Sequence, residues 1–161
     1  MNRESLHRES EVSRRTSTFE DLEIYQVARE FRKAMYGVAR RLPEIEKFGL
    51  TSQMRRAAFS LTNNIAEGPG RYHYLDHITF TLQSRGSLGK LINDLNACED
   101  ENYLPAAEVS DLKEQGWRVR QLIDGYVRYL RQQKDAVARR SSTKEDAPLY
   151  DDVADDSRFS I

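Results

Sequence analysis

Residues 49–71 read Gly-Leu-Thr-Ser-Gln-Met-Arg-Arg-Ala-Ala-Phe-Ser-Leu-Thr-Asn-Asn-Ile-Ala-Glu-Gly-Pro-Gly-Arg, and two stripes at helical spacing run through them. Met54, Ala58, Leu61 and Ile65 step by four, three and four, the apolar face of an amphipathic helix packed in a bundle. Gln53, Arg56, Ser60, Asn64 and Glu67 make a second, polar row on a neighbouring face. Folding alone needs no ordered series of hydrogen-bonding groups on an outer side, so the row reads as structural, joining helices or subunits; the plain alternative is a solvated face. Arg56 and Glu67 stand about 16 Å apart along the axis at 1.5 Å per residue, too far to pair. If buried, each needs a partner from another helix or subunit, because an uncompensated buried charge costs several kcal/mol. Gly68-Pro69-Gly70 closes the segment, glycine past the last turn and proline unable to continue it.

Three more stripes flank this one. Ile24, Ala28, Phe31, Met35, Val38 and Leu42 alternate spacings of four and three, and Leu42-Pro43 ends that helix because the residue before proline is pushed out of helical geometry. The second helix then starts after Gly49 with Thr51 or Ser52 as N-cap. A third is expected from about Tyr74 to Glu99, with Leu75, Ile78 and Leu82 in one row and Leu88, Leu91, Leu95 and Cys98 continuing it. Gly86 and Gly89 each weaken a helix interior by nearly ~1 kcal/mol relative to alanine, which predicts a tight helix contact or a kink there. Pro105 suits the first turn of a fourth helix of about 28 residues, carried by Val109, Leu112, Gly116, Val119, Ile123, Tyr126 and Leu130. The short connections favour an all-α, antiparallel up-down four-helix bundle. Leu22, Tyr25, Tyr36, Trp117 and Tyr129 lie off the principal rows, apolar surface consistent with subunit contacts.

The bundle is assigned to residues 19–133. Residues 1–18 are rich in Arg, Glu and Ser without apolar periodicity and read as a disordered tail. Residues 134–161 lose the pattern again and become acidic at Asp151-Asp152 and Asp155-Asp156, a second disordered tail. Between the tails, basic and acidic side chains are equal in number, which weakens any nucleic-acid argument from bulk charge. The single cysteine, Cys98, excludes an intrachain disulfide and reads as a small buried thiol. No apolar run reaches the length of a membrane span and no signal-peptide core is present at the amino terminus, so the expected compartment is the cytoplasm.

Catalytic and metal chemistry finds little support. His73 and His77 are four apart, but the glutamate of a zinc protease motif is replaced by Tyr74 and no third ligand is evident; two exposed histidines are the simpler reading. Ser87-Leu88-Gly89-Lys90 matches Ser-x-x-Lys without its companion elements. Gly68-Pro69-Gly70 is a turn, not a phosphate loop. No catalytic residue, metal or cofactor is assigned. Basic residues do cluster: Arg29, Arg32, Lys33, Arg40 and Arg41 on the first helix, Arg55, Arg56 and Arg71 in or after the second, Arg118, Arg120, Arg128 and Arg131 on the fourth. Repeated in a ring of subunits, such a stripe holds a phosphate backbone by counterion release. The alternative is ordinary helix-surface charge, paired with Glu30, Glu44, Glu114 or Asp124.

The order Gly49-Leu50, Gln53, Arg56-Ala57, Ser60, Asn64-Ile65-Ala66-Glu67-Gly68 and Arg71 resembles the four-helix bundle family of proteins encoded in intervening sequences of bacterial 23S ribosomal RNA genes, which includes the accessory variability protein of diversity-generating retroelements. The resemblance extends from Phe19-Glu20-Asp21-Leu22, through Leu42-Pro43-Glu44-Ile45-Glu46 and Gly86-Ser87-Leu88, to about Leu130. The chain departs from the family at Lys90, where glutamate is usual after Gly-Ser-Leu-x. The resemblance implies a homopentamer and a noncatalytic adaptor that binds RNA or an RNA-handling enzyme such as a reverse transcriptase. Its basic contacts would come from Arg29, Arg32, Lys33, Arg40, Arg41, Arg55, Arg71, Arg118, Arg128 and Arg131, and its structural or interface contacts from Gln53, Arg56, Ser60, Asn64, Glu67 and Gly86. The alternative is an oligomeric scaffold whose acidic segment, Leu149 to Ile161, recruits another protein.

Overall fold

The computed structural model describes residues 17–145. A short 3-10 turn, Phe19–Asp21, leads into α1 (Glu23–Arg41). A second, Glu44–Glu46, precedes α2 (Leu50–Glu67), and a third, Gly68–Gly70, follows it. α3 (Tyr74–Asp100) and α4 (Ala106–Glu145) complete an antiparallel up-down bundle. Each helix packs on two neighbours, in the order α1, α2, α3, α4 and back to α1. Residues 1–16 and 146–161, including the acidic segment from Leu149, lie outside the described residues.

The stripes become the core. Ile24, Ala28, Phe31, Met35 and Val38 of α1, Met54, Ala58, Leu61 and Ile65 of α2, Leu88, Leu91, Leu95 and Cys98 of α3, and Val109, Val119, Ile123 and Leu130 of α4 are buried together. Each large aliphatic or aromatic side chain so buried contributes roughly 1.5–3 kcal/mol, more than any single polar contact here. Burial pushes the Cys98 thiol up to about 11, so it stays protonated at neutral pH.

Several expectations are corrected. α2 begins at Leu50, with Gly49 at the N-cap, so Thr51 and Ser52 lie inside the helix. The orphan Leu50 N–H donates instead to Glu46 Oε2 at 3.0 Å. Glu46 Oε1 accepts from the Tyr103 hydroxyl at 3.0 Å, so one carboxylate ties the α1–α2 connection to the α3–α4 connection. α3 ends through Asn102, whose φ of 55° is left-handed; Tyr103 N–H donates to Cys98 O at 2.8 Å and Asn102 N–H to Glu99 O at 3.0 Å. α4 spans 40 residues, not about 28, because residues 134–145 remain helical beyond the last core contact at Leu130. Leu75 is exposed, and Thr81 and Ser84 fill the buried row at that end of α3.

The glycines also differ from expectation. Gly86 and Gly89 are exposed on an unbroken α3, with open space where a side chain would stand, so no other helix among the described residues approaches them. Gly68 is right-handed, with φ −57°, and is needed for space rather than for backbone conformation: a Cβ there would stand 2.5 Å from His77 Cδ2. His77 is buried, not exposed, and its Nε2 lies 3.1 Å from the Tyr126 hydroxyl. The junction joins the end of α2, the start of α3 and the middle of α4, and burial holds the imidazole pKa below its usual value. Gly68→Ala should cost roughly 1–3 kcal/mol by overpacking against the ring, whereas Gly86→Ala should add up to about 1 kcal/mol by helix propensity. Urea unfolding of both variants checks this, and a destabilising Gly86→Ala would reveal another chain packed on α3.

Candidate nucleic-acid interface

The polar row of α2 divides between two uses. Gln53 Nε2 donates to Asp94 Oδ1 on α3 at 2.6 Å. Asn64 Nδ2 donates to Ser60 Oγ at 3.1 Å, Ser60 and Ser87 hydroxyls lie 2.8 Å apart, and Ser87 Oγ donates to Gln83 O at 3.2 Å. Each hydroxyl has one proton, so the chain runs in one direction, from Asn64 through Ser60 to Ser87 and the α3 backbone. Gln53, Ser60 and Asn64 therefore serve the α2–α3 contact. Glu67 pairs with Arg71 one turn on. Arg56 is exposed and forms no ion pair among the described residues.

Asp94 is 1% exposed, and its Oδ2 has no hydrogen-bond partner among the described residues. Burial raises its carboxyl pKa, against the lowering effects of the Gln53 hydrogen bond and the Lys90 charge. An acid raised in the folded state favours folding at low pH and loses that contribution as pH rises through its folded value. Asp94→Asn should therefore raise the urea midpoint at pH 7, with the gain shrinking toward the ordinary carboxyl range near pH 3.8. A loss of stability at pH 7 would mean that the Gln53 hydrogen bond and the Lys90 charge outweigh the cost of burying the carboxylate.

Outside this contact, α1 and α2 share a cationic face. Arg32 Nη1 donates to Thr62 Oγ1 at 3.0 Å, and the Arg55 guanidinium lies 5.2 Å from the centroid of the Tyr36 ring. These contacts turn one stripe of α1 toward α2, and Arg29, Lys33, Tyr36 and Arg40 follow that stripe at spacings of four, three and four. Two adjoining depressions, of about 630 and 460 Å³, open on α2 and share Arg56 and Ser60. Arg55, Phe59, Asn63 and Asn64 of α2 line the first, with Tyr36 and Gln83 at its sides. Gln53 and Ala57 line the second, opposite Ser87 and Lys90. None of the described residues lining either depression is acidic. Lys90 adds a cation to this surface.

Lys33 lies on this stripe but is paired with Glu30 at 2.8 Å. The remaining basic residues do not join it: Arg41 pairs with Glu108. Arg71 pairs with Glu67 and stacks 4.6 Å over Phe80. Arg120 binds Asp124 at 2.8 Å, and Arg85 binds the same carboxylate at 3.1 Å. Arg118, Arg128 and Arg131 stand exposed on α4, and Arg118 faces a separate groove beside Gln26 and Glu30. Phe59, Tyr36 and Lys90 are not among the site residues expected from sequence; the four-residue spacing of Arg55, Phe59 and Asn63, a ring among polar neighbours, is the signal that could have placed Phe59 there.

A family model for the 23S rRNA-intervening sequence protein matches residues 20–125. The chain belongs to that family. The match spans α1, α2, α3 and the first half of α4, and so contains the whole cationic face. A search of curated proteins finds no match. Among the described residues of this family member no group of His, Cys, Asp and Glu is arranged to hold a metal ion, and no helix is long and apolar enough to cross a membrane.

Proposed function

We propose that this protein is a noncatalytic oligomeric adaptor in the cytoplasm that binds RNA, alone or with an RNA-handling enzyme such as a reverse transcriptase, through the α1–α2 face. The observation that carries the reading is the acid-free pair of depressions on α2, edged by Arg55, Arg56 and Lys90. Bulk charge does not favour RNA, since the formal net charge is −1, so affinity must come from a local face. A homopentamer, as the resemblance implies, repeats that face around an axis and multiplies the phosphate contacts available to one RNA. Trp117, Tyr129, Ile45 and Phe48 are half to nearly fully exposed and offer apolar surface for assembly.

Light scattering of the purified protein at two salt concentrations, with and without a mixed pool of structured RNA, tests both parts. A species near five subunits should gain mass with RNA at low salt and lose it at high salt, because each phosphate contact releases counterions. Charge reversal at Arg29, Arg40 and Arg55 together should abolish the gain, and reversal at Arg128 on α4 should leave most of it. The same oligomer without any RNA-dependent change overturns RNA binding, and a monomer overturns the assembly.

A further inference from the structure

We propose that the α2 depression takes unpaired RNA, with a base stacked on Phe59 and the flanking phosphates held by Arg55 and Arg56. This rests on the RNA-binding reading above and adds the strand state of the ligand. Phe59 is 56% exposed in the middle of a helix whose apolar stripe is otherwise well packed. Arg55, Phe59 and Asn63 form one ridge at four-residue spacing, about 6 Å of rise per step, so a cation, an aromatic face and an amide stand in line. The Arg55 guanidinium lies 5.2 Å from the Tyr36 ring centroid, so Tyr36 braces the cation beside Phe59.

These groups match a single strand better than the other occupants of a cationic face. Duplex RNA offers phosphates and 2′-hydroxyls while its base faces are hidden in the stack, so the phenyl ring would gain nothing from it. An unpaired strand exposes base faces, and stacking on aromatic rings tolerates every base. The neighbouring amides, Asn63 and Gln83, add donors and acceptors for base edges without fixing a sequence. An apolar protein partner would cover Phe59 but would desolvate Arg55 and Arg56 without supplying an acid.

The test is a fluorescence titration of the full chain with a single-stranded RNA carrying 2-aminopurine, and with the same strand in a duplex. The single strand should bind more tightly, with its 2-aminopurine quenched by stacking. Phe59→Ala should weaken that binding about tenfold, Phe59→Tyr should restore it, and both should leave duplex affinity within about twofold. Unchanged single-strand affinity in Phe59→Ala, while Arg55→Glu weakens both ligands, overturns the inference and leaves the RNA-adaptor reading standing. Phe59→Ala that alters the mass of the oligomer in light scattering without altering RNA affinity also overturns it, by placing the ring between copies of the chain. Wild-type protein that binds neither ligand removes the underlying reading as well.

Discussion

The close contact between α2 and α3 is the constraint from which the candidate site follows. Ala57 and Ala58 on one helix and Ser84 and Ser87 on the other are buried and small. The Asn64–Ser60–Ser87 chain and the Gln53–Asp94 bond then fix the rotation of α2 about its own axis. Apolar packing alone tolerates small rotations, since methyl and methylene contacts are non-directional. Hydrogen bonds do not, and these set which side of α2 faces outward. Arg55, Arg56 and Phe59 are exposed because Met54, Ala57, Ala58 and Leu61 are held inward and Gln53 and Ser60 are held against α3.

The ends of the bundle are fixed by single residues that serve two elements. Glu46 receives a backbone N–H from α2 with one oxygen and the Tyr103 hydroxyl with the other, so two loops far apart in sequence are set by one carboxylate. At the opposite end, Gly68 admits the His77 ring, and that ring meets Tyr126. The cationic face is shared between α1 and α2, and the Arg32–Thr62 hydrogen bond and the Arg55–Tyr36 contact bridge that seam.

Exposed glycines and exposed rings point outward in a similar sense. Gly86 and Gly89 lower the intrinsic helicity of α3 without any close neighbour among the described residues, and Trp117 and Tyr129 leave large apolar surface on α4. Neither feature helps the isolated bundle. Residues 134–145 likewise extend α4 beyond the core.

The sequence by itself determined four helices, their apolar faces and most of the core, because burial of a stripe at 3.6-residue spacing is a local property of the chain. It also marked the polar row of α2 as structural, joining helices or subunits, without naming the partners. Only the tertiary structure decided that Gln53, Ser60 and Asn64 serve α3, that Arg56 forms no ion pair among the described residues, and that His77 is buried. These outcomes depend on which residues of other helices stand opposite, and helical periodicity carries no information about a partner's register. The same reason explains the glycines: sequence reads Gly68 as a helix stop and Gly86 as a close contact, but only packing shows that Gly86 faces open space and that Gly68 makes room for a histidine ring.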